Sequence, residues 1–182
     1  MPEGRLLCTD ELVIAVLAER GVELTEVADI VHALQSKHCP DLTPAECLAG
    51  VRGVLQKREV QQAILTGVTL DVLAEKGLLP EPLLTVVADD DPLFGVDEIL
   101  ALSIINVYGS IGLTNFGYLD HEKPGVLGRL HGRGKGERGR RAPPDGCRGE
   151  PWQVHTFLDD LIAGVAAAAA AKLAHARGPR QS

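Results

Sequence analysis

The chain has 182 residues, 45% of them apolar and only 3% aromatic, with 25 Asp and Glu against 18 Lys and Arg. That length fits one domain with a real core. So few aromatics leave Leu, Val, Ile and Ala to fill it, which favours packed helices over an aromatic-rich sandwich. The net charge of −7 hides a split, because residues 131–150 hold six basic and three acidic side chains. The rest of the chain is more acidic still, a poor general binder of nucleic acid or anionic membrane.

The opening MPEGRLLCTDELVI has an early acid and no apolar stretch of signal-peptide type, so the chain reads as cytoplasmic. Cys8, Cys39, Cys47 and Cys147 follow no disulfide framework and are expected as reduced thiols. His32, His38, Cys39 and Cys47 lack a close ligand pair of the kind zinc needs.

Thr9-Asp10 caps a first helix with Leu12, Val13, Val16 and Leu17 on one face and Gly21 at its end. Thr25 opens a second, with Val27, Ile30, Val31 and Leu34 at helical spacing. Thr43-Pro44-Ala45-Glu46 is a capping box with proline in the first turn. A fourth amphipathic stretch runs from Glu59 to Lys76 and closes at Gly77.

Asp89-Asp90-Asp91-Pro92 reads as the entrance to a helix that carries no charge between Glu98 and Asp120. Residues 99–119 are long enough to raise the question of a membrane span. Ser103, Asn106, Ser110, Thr114, Asn115 and three glycines favour instead a core helix surrounded by protein, broken between Gly112 and Gly117.

Pro124-Gly125 starts a short helix through Leu130. Residues 131–153 are rich in Gly, Arg and Pro without periodicity, and are expected as a flexible surface insert. Thr156 caps the last helix. Leu158, Leu161, Ile162 and Val165 form one stripe of it; Asp160, Ala163, Gly164 and Ala167 form a small-residue stripe opposite. Nothing reads as a strand. The expectation is all-α: a single multihelical domain over residues 1–182, central hydrophobic helices surrounded by amphipathic ones. Its Ala/Gly faces suggest a homodimer.

Three acidic clusters border the apolar segments: Asp97-Glu98, Asp120 with Lys123, and Asp159-Asp160. Carboxylates beside buried apolar chain are costly unless a positive charge meets them. Hard cations such as Mg²⁺ take carboxylate oxygens together with substrate phosphate. Asp97, Glu98, Asp120, Asp159 and Asp160 are therefore the candidate metal ligands and catalytic acids. Lys123 offers a movable charge for a phosphate oxygen. His121 and His155 are candidate proton carriers near neutral pH.

Asp90 with Asp97-Glu98, then Asp120-x2-Lys123-Pro124, then Asp159-Asp160-Leu161-Ile162-Ala163-Gly164 resemble, in order, the three acidic motifs of the phosphatidylglycerophosphatase A family. The chain is most similar to that family's shorter soluble branch, some of whose members are called low temperature requirement C protein. The resemblance implies an all-helical fold. It also implies Mg²⁺-dependent removal of the terminal phosphate of phosphatidylglycerophosphate at a membrane surface, giving phosphatidylglycerol. One departure is the family's N-terminal Gly-Thr-Ser motif, echoed only by Thr66-Gly67-Val68-Thr69. Each cluster has a plainer alternative, as a helix cap, a first-turn charge or a loop acid. The corresponding reading of the whole chain is a non-catalytic stress or cold-adaptation protein with a structural cation site.

Overall fold

In the computed structural model, residues 9–134 and 153–177 are described, and they form nine α-helices and one 3-10 turn. These are α1 (Asp10–Glu19), α2 (Leu24–Gln35), α3 (Pro44–Leu55), α4 (Arg58–Glu75), α5 (Leu83–Ala88), α6 (Val96–Ile105), α7 (Gly109–Glu122), α8 (Val126–Gly134) and α9 (Leu158–Arg177). No strand occurs among the described residues, so the all-α expectation holds.

The early start signals work as read. Thr9 Oγ1 accepts from the Leu12 N–H, and the Thr43–Glu46 box closes in both directions at α3. At α2 the cap is Glu23, paired with Glu26, rather than Thr25.

α9 is the axis of the molecule. Every residue from Leu158 to Ala171 is buried, and the helix meets α2, α3, α4, α6, α7 and α8. Six consecutive alanines make this possible, because a helix of methyl groups lets neighbours approach on all sides at no cost in propensity. Gly164 lies 3.2 Å, from its would-be Cβ, to the Ala101 carbonyl of α6. Gly67 of α4 faces Leu161 and Phe157, where a methyl would fall 2.5 Å from Leu161 Cδ1. These small residues of α4 and α9 thus serve packing within the chain.

Several boundaries differ from expectation. Asp89 to Asp91 close α5 instead of opening α6, which starts after Gly95 in the left-handed region at φ 63°. The break in the uncharged segment falls at the 3-10 turn Asn106–Tyr108 and Gly109 (φ 70°), before Gly112, and Gly112 to Gly117 lie inside α7. α8 continues to Gly134, so the insert begins later than residue 131. Its stretch 135–152 lies outside the described residues, as do Cys8 and Cys147. Nor is the uncharged segment surrounded by protein: only a third of its span-length stretch is buried, and Ile99, Val107 and Leu113 are exposed. By length and composition Val96–Glu122 is long and apolar enough to cross a membrane, yet the turn splits it into two helices laid on α9.

Candidate functional site

α6 and α9 run parallel. Phe94 packs edge-on against Phe157 at 5.7 Å, and Ala101 meets Gly164. Both pairs are separated by the same number of residues, so Asp97 comes level with Asp160. α7 returns antiparallel and brings Asp120 and Lys123 back to the same end. The N-terminal mouth of α9 therefore gathers Asp120, Lys123, Asp159 and Asp160, while Asp97, level with them on α6, has Asp90 and Glu98 as its charged neighbours.

At its centre is the Lys123 ammonium. Nζ lies 2.8 Å from Asp120 Oδ1, 3.1 Å from Asp159 Oδ2 and 3.1 Å from Asp160 Oδ1. Lys123 is the C-cap of α7 at φ 44°, a left-handed conformation that a side-chain-bearing residue adopts at some cost. The three ion pairs hold it there, and Pro124 prevents the helix from continuing.

One cation faces three carboxylates in a partly dry site. Burial and the neighbouring Asp159 charge push Asp160 up to about 8, against the pull of Lys123. Burial alone would lower Lys123, but Asp159, Asp160 and Asp120 together hold its ammonium above the usual lysine range. Asp97 is buried and raised by desolvation, with the Glu98 N–H donating to its Oδ1 at 2.9 Å as partial relief and Asp90 adding repulsion.

Asp90 also borders a shallow recess with His131, His155 and Asp159. Glu98 does not join the cluster; its side chain is exposed. His121 is exposed beside Glu122. His155, the other candidate proton carrier, is buried, with Nδ1 3.4 Å from Arg20 Nη2. Two neighbours went unread in the sequence. His131 Nδ1 stands 3.4 Å from Asp159 Oδ2, and it was hidden in what looked like the insert. Asp71 is the other.

Asp71 belongs to α4 and is fully buried. Its carboxylate accepts from the N–H groups of Phe157 and Leu158, both at 3.1 Å. It is thus the cap of α9, supplied by another helix, and burial raises it well above the usual aspartate range. Thr156, the expected cap, donates its hydroxyl instead to the Val87 carbonyl at 2.7 Å. Arg20 and Glu75 clip Val154 on both backbone sides, at 2.6 Å to its carbonyl and 2.8 Å to its N–H. The entry into α9 is therefore fixed before its acids are presented. The spacing Gly67, Val68, Asp71, Ala74 along one buried face of α4 was the signal for Asp71.

The sequence model of phosphatidylglycerophosphatase A matches residues 13–140. The chain belongs to the phosphatidylglycerophosphatase A family. That match ends before α9, and the geometry above places Asp159 and Asp160 of α9 beside Asp120 and Lys123, which lie within it. The uncharacterized protein YutG of Bacillus subtilis (strain 168) is 52% identical over 159 residues, 87% of this chain and 86% of its own. A crystal structure of low temperature requirement C protein from Listeria monocytogenes is 48% identical with a TM-score of 0.79, covering 92% of this chain and 96% of that one. A protein of unknown function from Bacillus stearothermophilus is 47% identical with a TM-score of 0.81, covering 93% and 95%.

The Thr66–Thr69 echo of the family's Gly-Thr-Ser motif is not a phosphate loop. Thr66 and Thr69 hydroxyls donate back to Gln62 and Leu65 carbonyls inside α4.

Do these residues fit a divalent cation? Among the described residues no three His, Cys, Asp or Glu side chains close into a ready-made metal cage. The carboxylates close instead on the lysine ammonium, which stands in for a cation. In donor type and in surplus negative charge the set fits a hard divalent ion, with Lys123 occupying the place between the carboxylates.

Proposed function

We propose that this protein is a Mg²⁺-dependent phosphatase of a lipid phosphate monoester, taking phosphatidylglycerophosphate to phosphatidylglycerol. The observation that carries the reading is the Lys123 ammonium held within 3.1 Å of three aspartates at one helix mouth. Asp120, Asp159 and Asp160, with Asp97 level beside them, would hold the ion; Glu98 would reach it only by rotating inward. When bound, the ion supplies charge neutralisation at the phosphoryl group and an acidified water.

The chain's own groups do the rest. Burial and the Asp71 cap keep Asp159 and Asp160 rigid, so the ligands need no reorganisation. Lys123, on its long stem, trades its carboxylates for a non-bridging phosphoryl oxygen as the anion arrives. His131 Nδ1, beside Asp159, takes the proton-handling place first given to His121 and His155. The basic segment that includes residues 135–152 carries Lys135, Arg138, Arg140, Arg141 and Arg148. It offers an otherwise acidic, cytoplasmic protein a peripheral hold on a phospholipid headgroup.

The test is phosphate release from vesicles containing phosphatidylglycerophosphate, with Mg²⁺ or with chelator. Wild type should release phosphate only with Mg²⁺, and Asp160→Asn should lower the rate by about 10²-fold or more. No release, or release unchanged in Asp97→Asn and Asp160→Asn, ends the proposal. A second reading takes the same contacts differently: Lys123 already meets all three acids, as in a purely structural ion cluster. That reading expects chelator and Mg²⁺ to move only thermal stability, with no phosphate released.

A further inference from the structure

The outer side of α6 and α7 has no function in the mechanism above. The two helices lie antiparallel with α9 behind both, through Ala101, Ile104 and Ile105 of α6 and Gly112, Phe116 and Leu119 of α7. Away from α9 they expose Val96, Ile99, Val107 and Leu113, with Ile111 and Tyr118 at the far edge of α7 where it borders α2, each between 37% and 65% accessible. No charge interrupts the surface between Glu98 and Asp120. At ordinary side-chain sizes these exposed parts sum to several hundred Å², the order of the ~800 Å² each partner gives to a standard interface.

Gly117 supplies a second, independent observation. It sits in the interior of α7 on the outer side, and a Cβ there would meet nothing within 4 Å. Gly67, Gly112 and Gly164 each have a neighbour that explains them. No neighbour among the described residues explains Gly117. An exposed glycine inside a helix costs about 1 kcal/mol against alanine, and what offsets that elsewhere is close approach of another backbone.

We propose that this face is where a second copy of the chain docks, helix layer on helix layer, with Gly117 at the close approach. Three features favour a copy of the chain over a lipid surface. Between Glu98 and Asp120 the two helices carry no Lys or Arg with which to hold anionic headgroups. Its middle carries Ser103, Asn106, Ser110 and Thr114, which hydrogen-bond readily to protein but are poorly placed in hydrocarbon. Charge depletion with an aromatic at the edge is the composition of a protein interface core. An antiparallel pair also suits a two-fold axis, where each copy offers the same patch.

Light scattering on the full chain after size exclusion tests this. At tens of micromolar the wild type should have twice the 19.4 kDa of one chain. Ile99→Glu and Leu113→Glu should each return it to one chain, with the helical circular dichroism and melting of the wild type. Leu78→Glu, at an exposed leucine off this face, should leave the dimer intact. Wild type at the mass of one chain overturns the proposal. So does a dimer that survives both face substitutions, or one lost equally in Leu78→Glu. Flotation with phosphatidylcholine and phosphatidylglycerol vesicles addresses the other occupant. A monomeric wild type whose vesicle binding disappears in Ile99→Glu would assign the face to lipid instead. None of these readouts depends on phosphatase activity.

Discussion

Two apolar stretches of similar hydropathy have opposite fates in this fold. Leu158 to Ala171 is buried at every position; Val96 to Glu122 leaves most of its apolar side chains partly or fully exposed. Side-chain size separates them. α9 is built of Ala, Gly and a leucine stripe, so helices can surround it. α6 and α7 alternate small and bulky residues, pack on α9 through one side and leave the other unpartnered. Hydropathy reports that a segment avoids water, whereas side-chain volume decides how many neighbours it can take. Where the two meet, at the mouth of α9, the acids collect.

The largest test of that meeting point is Lys123→Met. Removing the cation from three carboxylates, two of them nearly buried, should cost about 3 kcal/mol or more. Urea unfolding in chelator should register it, and millimolar Mg²⁺ should restore part of the loss. A change under about 1 kcal/mol with no Mg²⁺ effect would mean the acids are individually solvated, as surface pairs are.

Next comes the cap. Asp71→Ala leaves the Phe157 and Leu158 N–H groups buried and unmatched, for a cost of about 2–3 kcal/mol. Asp71→Asn keeps one acceptor oxygen and should lose about half as much. If the two variants unfold alike, the carboxylate is not the anchor of α9.

The pH dependence isolates one member of the cluster. In the folded chain Asp160 is raised from 3.8 to about 8. Between those limits the native state keeps a proton that the unfolded chain has released. Stability from this group is therefore full below about pH 4 and lost as pH rises through about 8. Asp160→Asn should flatten that slope in chelator; an unchanged slope places the titration elsewhere.

Much of this was legible beforehand, and the misses have physical causes. The capping boxes and the all-helical class follow from local chemistry, and the convergence of Asp120, Lys123, Asp159 and Asp160 from charge beside apolar chain together with the order of the family's three motifs. Asp71 escaped because a cap donated by a distant helix leaves no mark at the N-terminus it serves. Thr156 looked like the cap and is spent on Val87. Glu98 was paired with Asp97 by adjacency, yet neighbouring residues on a helix point about 100° apart, and only Asp97 turns inward. His131 was lost because glycine and arginine around it read as insert, although the last turn of α8 carries it to Asp159.

The smallest expected effect is also the sharpest on the comparison, because one substitution is made on both sides of it. Gly67→Ala on α4 drives a methyl to 2.5 Å from Leu161 Cδ1 and 2.9 Å from Phe157 Cβ, against the buried axis. Overpacking there should cost about 1–3 kcal/mol. Gly117→Ala on the outer side of α7 meets open space. At dilutions where the chain is monomeric, it should gain about 0.5–1 kcal/mol from helix propensity alone. At tens of micromolar the gain should shrink or reverse, because the methyl then stands between two copies. Opposite signs at dilution mark α9 as enclosed and α7 as open. A Gly117→Ala gain that stays the same at every concentration would show that nothing approaches α7 there, and the glycine would have no packing role at all.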